Sequence, residues 1–389
     1  MDGRARGIVV IGSTGSIGRQ TLEVVRSLEG RFRVVGLAAG NNVSLLEEQA
    51  RQFRPRFVYV SRGGEGLRQR LRGLGIPCQW AYPEEMATLP EVDMVVVATV
   101  GRAGLSPTLA ALEAGKVVAL ANKEALVMAG HLVQEALRRG GGELRPVDSE
   151  HSAIWQCLWG EDVGAVSRLV LTASGGPFRD APLEALERVT AEEALRHPTW
   201  QMGPKITVDS ATLLNKGLEC LEARWLFDIP LERIEVVLHR ESIVHSLVEF
   251  RDGSVKAQLS LPDMRLPIQC ALTYPERLAG VPVPRLDLAR LGALTFGPVD
   301  LRRYPCLGLA LAAGRQGGTY PAVLCAADEV AVQHFLAGRI RFLDIPRILD
   351  RVLASHRGVA APSLDDVLEA DAWARAQAEE MARAVSQGA

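Results

Sequence analysis

Residues 7–28, "GIVVIGSTGSIGRQTLEVVRSL", decide the fold. They read as an apolar strand, a glycine turn and a helix. The glycines are Gly12, Gly15 and Gly18, spaced G-x-x-G-x-x-G rather than G-x-G-x-x-G. Such a turn lets backbone approach a pyrophosphate, and the helix behind it offers N–H groups and a positive dipole end. A glycine turn alone is weak evidence, because tight strand-to-helix turns favour glycine anyway. The context is stronger. "FRVVGLAAG" (32–40) reads as a second buried strand, and "RFVYV", "DMVVVAT" and "GKVVAL" follow. Helical stretches at 43–53, 105–114 and 124–138 alternate with them. That alternation predicts an α/β fold whose first segment, 1–147, is a Rossmann-type parallel sheet covered by helices on both faces.

The rest of the composition narrows the class. A chain of 389 residues exceeds one ordinary core, so two or three domains are expected. Its 48% apolar and 23% charged content is that of a globular protein. The net charge of −2 provides no overall basic field, so neither nucleic acid nor a membrane is an expected partner. No run of 18 apolar residues and no signal-peptide pattern occurs, which predicts a cytoplasmic protein. Six scattered cysteines without a C-x-x-C read as reduced core residues. Only five of the 44 basic residues are lysine: Lys116, Lys123, Lys205, Lys216 and Lys256. Codon bias explains the excess of arginine, yet each lysine then merits scrutiny as a compact charge where a guanidinium would not fit.

Ligands of such sheets bind beyond the carboxyl ends of the strands. The second strand ends in "AAGNNV", without the acid that would bind an NAD ribose, which favours NADP. No basic clamp stands there either. Asn41 and Asn42 offer amide donors, and Arg62, after the third strand, can supplement them. After "GKVVAL" come Asn122, Lys123 and Glu124. Asn122 and Glu124 suit a helix start, but Lys123 opposes the dipole there and is better matched to an anion or a polarised oxygen.

"PVDSEH" (146–151) places Asp148 and Glu150 two residues apart after an apolar approach, with a helix beginning near Ser149. Capping and first-turn stabilisation account for them in part. A hard divalent cation would neutralise both carboxylates, and oxygen ligands without nearby cysteine point to magnesium or manganese. A further ligand is expected from "VDSATLLNKGLECLEARWLF" (208–227), read as one helix with Asp209 and Ser210 at its cap. Asn215, Lys216 and Glu219 share one face. They are either an ordinary surface ion pair or part of a phosphate-and-metal site, whereas Glu222 and Arg224 are expected to be surface charges. Two polar loops complete the set. "LVLTASGGPFRD" (169–180) runs from a buried strand into Ser174, Gly175 and Gly176, where small residues allow backbone to approach phosphate. "RHPTWQMGPKI" (196–206) carries His197, Trp200 and Met202 on a loop that is either packed down or a lid.

Taken in order, "GSTGSIG", "ANKEAL", "VDSEHSAIWQ", "ASGGPF", "HPTWQMGPKITVDSATLLNKGLE" and "LPDMRLPIQ" closely resemble the 1-deoxy-D-xylulose 5-phosphate reductoisomerases of the non-mevalonate isoprenoid pathway, over nearly the whole chain. The resemblance implies metal-dependent rearrangement and NADPH-dependent reduction of that ketose phosphate to 2-C-methyl-D-erythritol 4-phosphate. It maps the metal ligands onto Asp148, Glu150 and Glu219, for magnesium or manganese, with cobalt as an alternative. Substrate contacts map onto Lys123, Ser149, Glu150, Ser174, His197, Ser210, Asn215, Lys216 and Glu219. Ser174, Ser210, Asn215 and Lys216 would hold the phosphate, and Trp200 and Met202 match the lid over the substrate. NADPH contacts map onto Thr14, Gly15, Ser16, Ile17, Gly40, Asn41, Asn42, Asn122, Glu124 and Gly203. Lys123, Glu150 and His197 are the expected catalytic groups; Glu150, His197 and a bound water all remain open as proton carrier. The position of Asn41 is often basic in the family, and here it is an amide. A homodimer is the expected assembly.

Residues 148–280 are expected to form a central α+β catalytic and dimerisation domain, with strands "RIEVVLH", "SIVHSLVEF" and "SVKAQLSL". His239 and His245 lie within these strands and read as structural. Residues 281–306, rich in Pro, Leu and Arg, read as a linker, and 307–389 as a small helical bundle. Two other readings stay open: a metal-free NADP-dependent dehydrogenase, whose activity would survive a chelator, and a dinucleotide-binding regulator without turnover.

Overall fold

The computed structural model describes residues 4–387; residues 1–3 and 388–389, the outer ends of the first and last expected segments, lie outside it. The chain forms two compact units. The first takes the described residues of Met1–Ala125 together with His131–Ser152 and Asp263–Pro284. The second takes Leu126–Gly130, Ala153–Pro262 and the described residues of Arg285–Ala389.

The first unit is built on a sheet of β1 (Arg6–Ile11), β2 (Phe32–Ala39), β3 (Phe57–Val60), β4 (Gln79–Trp80), β5 (Met94–Val97), β6 (Val117–Leu120) and β7 (Glu143–Pro146). All neighbours pair in parallel, in the order β4-β3-β2-β1-β5-β6-β7. Strands covered on both faces need continuous apolar runs, and Ile8, Val9, Val10, Met94, Val95, Val96 and Val97 are each at most 1% exposed. Fully burying one such side chain contributes about 1.5–3 kcal/mol. The order reverses between β1 and β5, the crevice where ligands of doubly wound sheets gather.

Between β1 and α1 (Ser16–Ser27), Gly12 adopts φ +89°, and a Cβ there would lie 2.4 Å from the Ala98 carbonyl oxygen. A Cβ on Gly18 would meet the Gly12 carbonyl oxygen at 2.2 Å. The turn is therefore restricted to glycine by contact as well as by conformation. Gln49 of α2 (Val43–Phe53) clamps it: Ser13 Oγ donates to Gln49 Oε1 and Gln49 Nε2 donates to the Ser13 carbonyl, each at 2.8 Å. α3 (Lys123–Gly140) and α4 (Ser149–Cys157) follow β6 and β7. A helix from much later in the chain, Arg265–Thr273, completes this core with Ile268, Ala271 and Leu272. Arg265 Nη1 bonds Glu23 Oε1 of α1 at 2.7 Å, and the "LPDMRLPIQ" stretch belongs to the first unit from Asp263 onward.

The second unit runs through β8 (Val166–Ala173), the helices α5 (Pro204–Thr212) and α6 (Leu214–Phe227), then β9 (Ile234–Leu238), β10 (Val244–Phe250) and β11 (Val255–Leu259), its four strands forming one sheet. The strand order is β11-β10-β8-β9, with β8 and β9 parallel and β10 antiparallel to both neighbours. Residues around the short helix Leu288–Leu291 dock on this sheet through a bridge between Leu238 and Gly297. The C-terminal bundle comprises Pro305–Gln316, Tyr320–Leu336, Asp344–Ser355 and Leu364–Gln387. Its central helix, Tyr320–Leu336, is buried along most of its length. Among the described residues, no helix is long and apolar enough to cross a membrane. Six thiols are free, and burial pushes those of Cys157 and Cys220 up to about 11 and 12.

One expectation is corrected here. Residues 208–227 are not a single helix capped by Asp209 and Ser210. Pro204 at the first helical turn starts α5 earlier, and the chain breaks at Leu213, which takes φ +55°. Asp209 and Ser210 therefore lie inside α5. The uninterrupted apolar stripe hid the break, since Leu213 and Leu214 are both buried on either side of it.

Candidate active site

In the first unit, the carboxyl edge of the sheet carries the expected nucleotide residues other than Gly203, which belongs to the second unit. Thr14, Gly15, Ser16 and Ile17 form the turn and first residues of α1. Gly15 caps α1 without a side-chain bond, and no acid occupies the first turn, so its N–H groups suit an anion. Gly40, Asn41 and Asn42 are exposed beyond β2. Asn42 Oδ1 accepts from Leu45 N at 3.1 Å and caps α2. Asn122 is buried: its Oδ1 accepts from Ala125 N at 2.9 Å, and its Nδ2 donates to the carbonyls of Thr99 (3.0 Å) and Gly101 (2.8 Å). It ties two strand ends together, and Glu124 sits in the first turn of α3, partly exposed.

Beside Asn122, Lys123 Nζ lies 2.5 Å from Asp148 Oδ2, with the two side chains 7% and 15% exposed. Ser149 Oγ donates to Glu150 Oε2 at 2.6 Å. The start of α3 after β6 thus delivers an ammonium, and the start of α4 after β7 delivers two carboxylates and a hydroxyl, to one edge of the sheet. Glu150 stands in the first turn of α4, which begins at Ser149 as expected. Two carboxylates this close repel each other, and the Lys123 ammonium pairs with Asp148. The donor set, oxygen without sulfur, fits a hard divalent ion.

In the second unit, a separate polar cluster forms around His197. Ser174 lies just beyond β8, and its Oγ is 2.9 Å from His197 Nε2; Ser210 Oγ of α5 is 3.0 Å from the same nitrogen. The backbone N–H groups of Thr199 (3.2 Å) and Trp200 (2.9 Å) both donate to Nδ1. Nδ1 therefore carries no proton, Nε2 does, and the imidazole donates to the serine oxygens. Burial, followed by the nearby Arg179 guanidinium, holds His197 at a pKa of about 4. The ring stays neutral near pH 7, and both serine hydroxyl protons remain available to an anion. Gly176 N donates to Ser174 Oγ at 3.2 Å, and the buried Tyr304 hydroxyl donates to the Gly175 carbonyl at 2.9 Å, fixing the turn.

On α6, Lys216 Nζ and Asn215 Nδ2 each lie 2.5 Å from a Glu219 carboxylate oxygen. Lys216 and Glu219 are 4% and 1% exposed. This is a buried ion pair, which excludes the surface reading. Glu222, expected at the surface, is 1% exposed, and Arg224 donates to the Gly314 carbonyl at 2.9 Å. Asn215, Glu219 and Glu222 recur at i, i+4 and i+7, so helical spacing alone could have placed Glu222 on the buried stripe. Trp200 packs near His245, ring centroids 6.0 Å apart, and Thr199 Oγ1 lies 3.2 Å from Ser242 Oγ, while Met202 is partly buried and Gly203 begins α5. His245 Nε2 meets Ser260 Oγ at 2.8 Å, and His239 Nε2 accepts the N–H groups of Ile243 and Val244, both at 3.1 Å; both rings serve structure.

A residue that the motifs did not single out is Lys205. Its Nζ lies 2.6 Å from Asp209 Oδ2 and 2.7 Å from Asp328 Oδ2 in the bundle helix Tyr320–Leu336. Both acids are at most 2% exposed, so one lysine fastens the helix that carries Ser210 to the C-terminal bundle.

Family models match most of the chain. "1-deoxy-D-xylulose 5-phosphate reductoisomerase" covers residues 8–130, its C-terminal domain covers 144–227, and "DXP reductoisomerase C-terminal domain" covers 259–377. The chain is 57% identical over 375 residues to 1-deoxy-D-xylulose 5-phosphate reductoisomerase of Pelotomaculum thermopropionicum, covering 95% of this chain and 97% of that one. It is 58% identical to the Heliobacterium modesticaldum protein of the same name, with 95% of each covered. Among solved structures, it is similar to a DOX-P reductoisomerase in complex with NADPH, fosmidomycin and magnesium, at TM-score 0.93 and 40% identity over 99% of this chain and 100% of that one. The Zymomonas mobilis enzyme in complex with NADPH matches at TM-score 0.90 and 41% identity, over 97% and 99%.

Proposed function

The chain belongs to the 1-deoxy-D-xylulose 5-phosphate reductoisomerase family, and on that premise we propose how its residues divide the work. It is an NADP-dependent oxidoreductase that rearranges 1-deoxy-D-xylulose 5-phosphate and reduces the product to 2-C-methyl-D-erythritol 4-phosphate, in the non-mevalonate isoprenoid pathway. When bound, NADPH supplies the hydride and the divalent cation supplies Lewis acidity toward the ketose oxygens.

Asp148, Glu150 and Glu219 are the proposed ligands of that cation. Their support is chemical: all are oxygen donors, and Glu219 is a buried carboxylate whose nearest cation is a lysine better suited to phosphate. Lys123, held by Asp148, orients a substrate oxygen, and Ser149 holds Glu150 in place. Ser174, Ser210, Asn215 and Lys216 receive the phosphate. Binding so far from the reacting carbons fixes orientation. His197 acts here as a neutral donor that turns both serine hydroxyls toward the anion. Its low pKa and doubly engaged Nδ1 count against it as the proton carrier, leaving Glu150 or water. Trp200 and Met202 cover the substrate and exclude water. Thr14, Gly15, Ser16, Ile17, Gly40, Asn41, Asn42, Asn122, Glu124 and Gly203 contact the nucleotide.

Along the chain the proposed roles are 1–147 for the nucleotide, 148–280 for metal, substrate and dimer pairing, 281–306 as connector and 307–389 as support, with the helix Arg265–Thr273 lending its packing to the first unit. A cytoplasmic homodimer is part of this reading. The observation that carries it is the convergence of Ser174 and Ser210 on one imidazole, from positions 23 and 13 residues away from it. The test is NADPH oxidation with 1-deoxy-D-xylulose 5-phosphate and manganese. Wild type should turn over, and Glu219→Gln should lose at least about a hundredfold in kcat/KM. Absence of wild-type turnover would remove the reading, and an unimpaired variant would remove the role of Glu219.

A further inference from the structure

We propose that Arg62 reads the 2′-phosphate of NADPH, so that this chain selects its nucleotide from the end of β3 rather than the end of β2. The inference rests on the nucleotide reading above. In a doubly wound sheet the adenosine ribose lies beyond the second strand, where an acid selects NAD and a cation selects NADP. Here that end is Gly40-Asn41-Asn42, which holds neither.

The backbone brings the missing charge alongside. Ser61 N donates to the carbonyls of Ala39 (3.1 Å) and Gly40 (3.0 Å), and Arg62 N donates to the Gly40 carbonyl at 3.3 Å. Arg62 is therefore fastened to the residue preceding Asn41. Its side chain is exposed, and among the described residues it makes no hydrogen bond, ion pair or ring contact. Three arginines of the helices on either side of β3 are committed. Arg51 and Arg70 both pair with Glu47, at 2.6 and 2.5 Å, and Arg68 lies over the Trp80 ring at 4.9 Å. Those two arginines also neutralise Glu47, an acid of α2 that would otherwise oppose a phosphate.

The amides complete an anion-selective rim. Asn42 spends its Oδ1 on Leu45 N, which leaves its NH2 end for a ligand. A Cβ at Gly40 would meet nothing within 4 Å, so the approach over this residue is open. A guanidinium fork with amide donors recognises a phosphate monoester and gains little from a bare hydroxyl.

The test is direct nucleotide binding to the full chain by fluorescence titration, without substrate or metal. Arg62→Ala should raise the Kd for NADPH by about tenfold or more and leave that for NADH within about twofold. Adenosine 2′,5′-bisphosphate should lose its ability to compete, and Arg62→Lys should recover part of the preference. Added salt should narrow the wild-type gap between the nucleotides and leave that of the alanine variant unchanged. Unchanged NADPH affinity in the variant, or equal weakening of both nucleotides, would overturn the role of Arg62 alone. A wild type that binds neither nucleotide would overturn this proposal together with the nucleotide reading.

Discussion

At the turn from Gly12 to Gly18, what faces the nucleotide edge is backbone: first-turn N–H groups of α1, unshielded by any side-chain cap. Around His197 and along α6, the polar groups are side chains drawn from separate elements, several of them charged and almost completely buried. The first arrangement follows from steric necessity at glycine and costs little desolvation. The second holds charges out of water and is stable only while every partner is present. The contrast suggests that changes at the nucleotide turn should act mainly on binding, whereas changes in the buried cluster should act on binding and folding together.

The sharpest challenge to that contrast is Lys216→Met. It removes the cation beside buried Glu219 and should cost about 3–5 kcal/mol of stability, the usual consequence of orphaning one partner of a buried pair. Urea denaturation would read the loss, and titration should show ketose phosphate binding abolished with NADPH affinity retained. A stable variant that merely binds substrate less well would place Lys216 in a wetter setting than its 4% exposure indicates. Gly18→Ala probes the other side with a smaller effect. Its Cβ would press on the Gly12 carbonyl at 2.2 Å, so the turn must shift, at about 1–3 kcal/mol. That shift should weaken NADPH binding and leave the urea midpoint nearer to wild type than Lys216→Met does. A loss of stability equal to that variant's would erase the distinction.

The same contrast explains what could be read from the sequence. The parallel strands were legible because burial on both faces demands unbroken apolar runs such as "MVVV". The glycine turn was legible because its requirement is local. Lys123 and Lys216 stood out by scarcity and by position, and both prove to be buried ion-pair partners. Lys205 carried the same scarcity signal, but its partner Asp328 sits in a distant helix, and no spacing rule joins them. The break at Leu213 left no mark, because an apolar residue in the left-handed region looks like any other in a periodic stripe. Nor does a sequence say that Arg265–Thr273 packs on α1 of the first unit, since that contact is set by tertiary fit. The residues alone pointed to a cation at Asp148 and Glu150 and to a further ligand from 208–227 while leaving caps and ion pairs open; family resemblance chose Asp148, Glu150 and Glu219 as the set.

The smallest expected effect concerns His197 and pH. Its folded-state pKa of about 4 lies below the ordinary histidine value of 6.5, because burial disfavours the charged ring and Arg179 adds to it. The unfolded chain therefore binds a proton that the folded chain refuses between those values. Stability contributed by the neutral ring is fully present above about pH 6.5 and is lost as pH falls toward 4. The ring is only partly buried, so with solvent screening the loss by pH 6 should be on the order of a few tenths of a kcal/mol. His245, also held at about 4 by burial, contributes in the same direction, so the informative quantity is a difference. His197→Gln should flatten part of the decline in urea stability between pH 6.5 and 4, while the pH dependence due to His245 persists. Glutamine can still donate to Ser174 or Ser210, so phosphate affinity near pH 7 should fall less in this variant than in His197→Ala. Identical pH profiles for wild type and His197→Gln would mean that the ring titrates normally, and the neutral donor assigned to the buried cluster would have to be abandoned.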